Sequence, residues 1–149
     1  MVVIFLTLEV GMYNLNEKSK SSVPLVVPKS LRSQFEKNVE AIAPSGRLFL
    51  FAGDQKMEHL NSDFLGDGIS KDDANPVHLF NIASSVRASA FATHLGLISR
   101  YADNFRSVQY IVKLSGKTNL VGTDQDDPLC ATLNSVEQVV EFKNESELN

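Results

Sequence analysis

After its apolar first residues, the chain has three short apolar runs, and apolar positions recur at helical spacing before, between and after them. The first run, Leu48 to Ala52, is uninterrupted and predicts a buried strand, because strands covered on both faces carry continuous apolar side chains. Small, aromatic and β-branched residues predict two further strands at 88–93 and 108–114. Apolar positions three or four residues apart predict helices at 29–43, 76–87, 97–101 and 131–142.

After the leading helix, strands and helices alternate to the end of the chain. This order predicts an α/β fold whose parallel strands are joined by right-handed crossovers. Residues 1–22 precede the pattern and lead into a proline-punctuated stretch, so we expect a linker or a disordered arm there and a folded part at 23–149. The loops at 61–75 and 117–128 are long and have no hydrophobic period, which is typical of functional or mobile segments.

Composition restricts the class of protein. The 149 residues are 43% hydrophobic and 21% charged, which is typical of one soluble domain with a core. The net charge of −4 gives no basic surface for nucleic acid. A single cysteine excludes an intrachain disulfide and favours a reducing, cytoplasmic location. The apolar start of the chain is too short to span a bilayer and lacks the basic residues of a signal peptide, so we expect no membrane association.

Two nucleotide-binding motifs are only partly present. Residues 115–118, Ser-Gly-Lys-Thr, match the end of a P-loop, but the position that needs its first glycine holds Ile111 inside a predicted strand. Residues 66–68 start like a dinucleotide fingerprint, but Lys71 occupies the position of the third glycine. We therefore expect neither site.

The sequence also gives only weak support for a metal site. Asp54, His59, His78 and His94 are the plausible ligands, but they show neither an HExxH motif nor a cysteine cluster. A lone histidine is more often a hydrogen-bonded structural residue than a ligand. We expect no metal and no cofactor.

Polar side chains remain at the ends of the three strands. Asp54 follows the first strand, His94 ends the second, and Lys113 lies near the end of the third. In a parallel barrel these ends converge on one face. A lysine in an apolar strand is either paired or has a lowered pKa, so Lys113 could form an imine or act as a cation. The alternative is a purely structural Asp54–Lys113 ion pair.

Four blocks of sequence resemble a known family. GRLFLFAGDQKMEHLN, DDANPVHLFNIAS, FATHLGLISRYA and YIVKLSGKTNL are similar, in this order and spacing, to archaeal-type class I fructose-bisphosphate aldolases of the DeoC/LacD-like superfamily. The resemblance covers Val23 to Asn149. Asp54 and His59 match the aspartate and the second histidine of the family's first-strand pattern, whereas Gln55 and Lys56 replace its His-Gly pair.

The resemblance implies a (β/α)₈ TIM barrel that makes or cleaves a carbon–carbon bond through a lysine Schiff base. It implies a sugar phosphate substrate, fructose 1,6-bisphosphate or dihydroxyacetone phosphate. Asp54 matches the family's catalytic aspartate, and Lys113 lies where such barrels keep a lysine facing the site. We assign Asp54 and Lys113 to catalysis, and His59 and His94 to substrate binding.

The chain departs from the family in its extent. It holds an N-terminal helix and about the first three β/α units of a barrel that needs eight. The family's imine-forming lysine and phosphate site lie in the second half. We expect a partial TIM barrel that is inactive alone and that is either unstable or self-associates as a homo-oligomer through its open strand edges. The alternative is a non-catalytic half-barrel module that pairs with itself or with a fuller homologue.

Overall fold

A computed structural model of the protein describes residues 23–44, 46–58, 64–86, 88–116 and 130–148. The chain divides into two compact units, and the boundary between them lies between Phe49 and Leu50. The N-terminal arm predicted at 1–22 lies outside the described residues. Among the residues that are described, no helix is long and apolar enough to cross a membrane.

The first unit contains the predicted leading helix. A 3₁₀ turn at Lys29–Leu31 runs into α1, Arg32–Ile42. Pro28 precedes the turn, where its fixed φ and missing N–H are compatible with a helix start. The Arg32 side chain donates a hydrogen bond to the Val27 carbonyl at 3.3 Å, which ties the helix to the preceding segment.

The second unit is built on a parallel sheet of three strands in the order β1–β2–β3. The strands are β1, Leu50–Ala52, β2, Ala90–His94, and β3, Tyr110–Lys113. In the described part of this unit four helices accompany the sheet: α2, Gln55–Glu58, α3, Val77–Ser85, α4, Leu95–Tyr101, and α5, Val136–Ser146. Further 3₁₀ turns occupy Lys71–Ala74 and Ala102–Phe105. The predicted order of parallel strands and helices is therefore present.

Aromatic side chains form the core on one face of the sheet. Phe51, Phe91 and Tyr110 are register partners on neighbouring strands, so their side chains share that face. Phe80 of α3 meets the Phe91 ring edge-on, with centroids 5.1 Å apart at 86°. Both of these phenylalanines are fully buried, and Ala83 of α3 packs with them. Helix α3 therefore covers the central strand.

The prediction that the first strand is buried was wrong. Leu50 is 41% exposed and Ala52 is exposed as well, because β1 pairs only with β2 and is an edge strand within the described sheet. The strand is also shorter than predicted and begins at Leu50. By contrast, the central strand β2 has four buried residues.

The prediction for the last helix was wrong at its start. Ala131–Thr132 forms β5, which pairs antiparallel with β4, Ser115–Gly116. The helix begins only at Val136, where Ser135 and Gln138 form a reciprocal capping box. Backbone pairing to β4 therefore takes the residues that would have formed the first turn.

Candidate functional site

The register of the sheet brings the predicted residues to one edge. His94 and Lys113 are direct partners in the β2–β3 ladder, so their side chains lie on the same face. At the end of β1, the Gly53 N–H donates to the Ala92 carbonyl at 2.8 Å. The buried Thr93 hydroxyl donates to the Gly53 carbonyl at 3.0 Å. These bonds hold Asp54, the next residue, beside the end of β2.

A one-turn helix adds a second carboxylate to this edge. Helix α2 follows Asp54 at once, and the Asp54 carbonyl accepts the Met57 N–H at 3.0 Å. Because residues four apart lie on the same side of a helix, Glu58 stands beside Asp54. Lys113 Nζ donates to Asp54 Oδ2 at 2.7 Å and to Glu58 Oε1 at 2.5 Å. One ammonium group therefore bridges two carboxylates.

Burial and ion pairing shift the pKa values of Asp54 and Lys113 in opposite directions. Burial raises the pKa of Asp54, but the hydrogen bond and positive charge of Lys113 outweigh it, so the pKa of Asp54 lies below its usual value. Burial lowers the pKa of Lys113, but hydrogen bonds to Asp54 and Glu58 outweigh it, and the pKa of Lys113 is raised. Lys113 is therefore a cation at neutral pH, and Asp54 is its ionised partner.

His94 lies against the same cluster but is closed off from solvent. Its residue surface is 2% exposed, and Nε2 is 3.5 Å from Glu58 Oε1. Within the described residues, neither ring nitrogen has a hydrogen-bond partner. Glu58 Oε1 therefore accepts the Lys113 hydrogen bond and also lies beside the imidazole of His94.

The opposite side of α2 carries a second lysine. Lys56 Nζ lies 3.6 Å from the centre of the Phe64 ring, a cation–π contact, and has no hydrogen-bond acceptor in the described part of the chain. Burial lowers the pKa of Lys56, although the charge of Asp73 opposes this shift. Helix α2 is thus held by Lys113 on one side and by Phe64 on the other.

Comparison with known proteins identifies the family. The sequence profile of the DeoC/LacD family aldolases matches residues 48–146, which include all three strands of the sheet and the whole ionic cluster. The chain belongs to the DeoC/LacD aldolase family. The resemblance stated from the four sequence blocks is therefore confirmed.

Individual relatives in this aldolase family match over part of their length. The chain is 49% identical over 133 residues to a Methanocaldococcus jannaschii fructose-bisphosphate aldolase/6-deoxy-5-ketofructose 1-phosphate synthase. That match covers 89% of this chain and 42% of the relative. The solved fructose-bisphosphate aldolase from Slackia heliotrinireducens superimposes with a TM-score of 0.78 at 42% identity, covering 87% of this chain and 41% of that one.

Another solved relative, a Schiff-base-forming fructose-1,6-bisphosphate aldolase, gives a TM-score of 0.58 at 29% identity. It is matched over 72% of this chain and 40% of its own length. The predicted fold class, an α/β fold that corresponds to part of an aldolase TIM barrel, is therefore confirmed. The chain spans about two fifths of the relatives it matches.

The structure brings together three of the four residues selected from the sequence. Asp54, His94 and Lys113 meet at the end of the aldolase-family sheet, whereas His59 lies outside the described residues. The assignment of these four residues to catalysis or substrate binding stays a prediction. Both ring nitrogens of His94 are buried.

Sequence reasoning missed Glu58 as a member of the site. The signal was its spacing, because two carboxylates at i and i+4 directly after a strand share one side of a helical turn. Of the alternative metal ligands, His78 instead faces Asp73 at 3.3 Å. Among the described residues, no group of three or more histidine, cysteine, aspartate or glutamate side chains is placed to hold a metal ion.

Proposed function

We propose that this chain supplies the acid/base part of a class I, Schiff-base aldolase site that acts on a sugar phosphate. The observation that carries the proposal is the contact of Lys113 with both Asp54 and Glu58 at the ends of parallel strands. In barrels of this class, reacting groups lie at the carboxyl ends of the strands. The relatives are fructose-bisphosphate aldolases by name, which supports a sugar phosphate such as fructose 1,6-bisphosphate or dihydroxyacetone phosphate.

Lys113 acts in this proposal as a fixed cation and not as the imine-forming amine. An amine attacks a carbonyl only when it is neutral, and the carboxylates around Lys113 favour its protonated form. Its ammonium group keeps Asp54 ionised and holds the carboxylate in one orientation. The sequence left open whether Lys113 forms an imine or acts as a cation, and this proposal assigns it the role of the cation.

Asp54 is the proposed proton carrier. In the cleavage direction its carboxylate accepts the proton of the substrate's C4 hydroxyl, the C3–C4 bond breaks, and an aldehyde leaves. The electron pair of that bond passes to a protonated imine, which becomes an enamine. In the synthetic direction Asp54 returns the proton. General acid–base transfer by one such group contributes about 10²- to 10⁴-fold in rate.

The imine-forming lysine and the phosphate site are the parts that the resemblance assigns to later strands of the barrel. The matched region corresponds to 42% of the Methanocaldococcus relative. We therefore propose that turnover needs the remaining part of a barrel, and that this chain alone is inactive. A cytoplasmic location, a homo-oligomeric state and the absence of nucleic-acid and membrane partners belong to the same proposal.

A chimera tests the function directly. This chain replaces the matching segment of the Methanocaldococcus relative, whose own remaining segment completes the protein. We expect fructose-bisphosphate cleavage by the chimera and a loss of roughly 100-fold or more in kcat for Asp54→Asn. Asp67→Asn, at an exposed position, is the matched control and should leave kcat unchanged. A folded chimera in which both variants retain full activity would refute the role of Asp54.

Borohydride trapping then separates the two roles of lysine. The chain alone and the chimera are incubated with dihydroxyacetone phosphate, reduced and analysed by peptide mass spectrometry. We expect an adduct in the chimera outside this chain's segment and none on Lys113. An adduct on Lys113 would make it the Schiff-base residue and would overturn the assignment as a cation.

The alternative is a non-catalytic half-barrel module, in which the Asp54–Lys113 pair is structural. Exposed apolar side chains on α5, Val136 and Val140, favour some association of the chain. Association alone does not explain two carboxylates on one lysine at the strand ends. The chimera distinguishes the two functions, because a structural pair predicts loss of stability without a specific loss of kcat.

A further inference from the structure

The β4–β5 ribbon, Ser115–Gly116 paired with Ala131–Thr132, closes against the candidate site at a glycine. A Cβ atom placed on Gly116 would lie 3.1 Å from His94 Cε1 and 3.3 Å from Glu58 Oε1. It would also lie 2.9 Å from Leu133 Cδ1. These separations are shorter than ordinary van der Waals contacts between such atoms, so a side chain at position 116 would require its neighbours to shift.

Space, and not backbone conformation, is what favours glycine at this position. Gly46, Gly66 and Gly68 have positive φ angles, whereas Gly116 is not among the described glycines with that conformation. Gly116 instead sits in a two-residue strand that pairs with Ala131. The Leu133 N–H donates to the Leu114 carbonyl at 2.8 Å, which fixes the ribbon beside the end of β3.

The three atoms near Gly116 differ in how easily they move. Leu133 Cδ1 is the end of a flexible side chain and can rotate away. The His94 ring is fully enclosed, and the Glu58 carboxylate is held by Lys113. An added methyl group would therefore displace the imidazole or the carboxylate once Leu133 has moved.

We propose that Gly116 is a positioning residue of the candidate site. The missing side chain lets the ribbon close over His94, and this contact sets the separation between the imidazole and the Glu58 carboxylate beside Lys113. His94 acts in turn as a support for Glu58 from behind and not as a substrate ligand. The catalytic meaning of this arrangement rests on the proposed function, whereas the arrangement itself can be measured without substrate.

Gly116→Ala and a matched glycine variant provide the first test. Gly96 lies in α4, and a Cβ atom added to it would meet no atom within 4 Å, so Gly96→Ala is the control. We expect Gly116→Ala to shift the ring ¹⁵N signals of His94 and the carboxyl ¹³C signal of Glu58, with Gly96→Ala leaving both in place. Unchanged signals in a folded Gly116→Ala chain would overturn the proposal, as would equal shifts in both variants.

A double-mutant cycle provides the second test and identifies the contact. In the full chain, the cost of Gly116→Ala in the unfolding equilibrium constant should be about tenfold smaller when His94 is already alanine, because contacting residues are coupled. The same cycle with Leu133→Ala in place of His94→Ala measures the contact between position 116 and Leu133, the residue that follows β5. If Leu133→Ala reduces the cost of Gly116→Ala and His94→Ala does not, Gly116 is needed only for packing within the ribbon, and the proposal is overturned.

If Gly116→Ala does not fold, the double variant Gly116→Ala/Leu133→Ala is compared with Leu133→Ala. The nearest obstructing carbon is then absent, and the His94 and Glu58 signals are measured as before, with the same outcomes for and against. None of these readings uses aldolase activity. If Gly116 and His94 are coupled but the chimera is inactive, only the proposed function is refuted. If the chimera is active but the two residues are not coupled, only the positioning role of Gly116 is refuted.

Discussion

Lys113 Nζ lies 2.7 Å from Asp54 Oδ2, although 59 positions separate the two residues in the sequence. The contact joins the end of β3 to the second residue after β1, across the central strand β2. The contact therefore depends on the pairing of all three strands, and its presence indicates that the sheet has formed. Both side chains are partly buried, so the pair is shielded from solvent more than an ion pair on an open surface.

Removing the cation should destabilise the fold. Lys113→Met keeps the aliphatic length but leaves Asp54 and Glu58 as neighbouring carboxylates without a counterion. We expect a loss of about 2 kcal/mol in the free energy of unfolding, less than for a fully buried pair because the cluster is partly solvated. Urea unfolding at pH 7 measures this loss, and Lys71→Met, at an exposed position, is the control. Equal midpoints for the two variants would contradict a stabilising role.

The lowered pKa of Asp54 predicts a loss of stability in acid. The unfolded chain, whose Asp54 has the ordinary pKa near 3.8, binds a proton before the folded chain does. The stabilisation is therefore complete above that value and is lost as pH falls through the lowered folded value. Urea midpoints measured from pH 7 to pH 2 should fall less for Asp54→Asn than for the wild type. Asp67→Asn, an exposed control, should follow the wild-type curve.

The grouping of site residues at one end of the sheet was predictable from the sequence, because parallel strands align their carboxyl ends. Asp54, His94 and Lys113 each follow or end a strand, and the order of elements alone brings them to one edge. Glu58 was harder to select, since a single helical turn has no hydrophobic period to reveal it. Only the spacing of two carboxylates indicated it.

Contacts distant in sequence account for the remaining differences. The ribbon of β4 and β5 rests on backbone pairs between Ser115 and Thr132 and between Gly116 and Ala131, which no local pattern encodes. The capping box at Ser135 was a local signal and would have given the correct start of α5. The apolar run at the first strand indicated a strand correctly, but apolar residues alone do not determine which face is covered.

Gly53 is the position where a single methyl group should be most harmful. A Cβ there would lie 2.3 Å from Phe91 Cε2, and the Phe91 ring is fully buried between β1 and α3. Gly53→Ala should therefore reduce the free energy of unfolding by about 3 kcal/mol through overpacking. Gly96→Ala, in open space on α4, should instead raise it by roughly 0.5–1 kcal/mol. Chemical unfolding of both variants checks the contrast, and equal effects would contradict the close packing at Gly53.

Lys56 should behave in the opposite way to Lys113. Its lowered pKa means that the fold disfavours the charged form, so Lys56→Met should preserve or slightly raise stability at pH 7. The difference from the wild type should shrink as pH rises through the lowered pKa, because the wild-type amine then becomes neutral. Urea midpoints at pH 7 and pH 10 measure this. A loss above about 1 kcal/mol would show that the cation–π contact with Phe64 outweighs desolvation.

Helix α5 should contribute to self-association. Val136 is 59% exposed and Val140 is 51% exposed, and because they lie four positions apart they form an apolar surface on one side of α5. Burying such a surface against a second copy removes apolar area from water, and a charge placed in its centre opposes that burial. Val140→Lys should therefore shift the chain toward monomer in size-exclusion chromatography with light scattering. Glu141→Gln changes the net charge by the same amount on the same helix and should leave the association state unchanged. A wild-type chain that is monomeric at high concentration would contradict the homo-oligomer, and equal shifts in both variants would assign the effect to net charge.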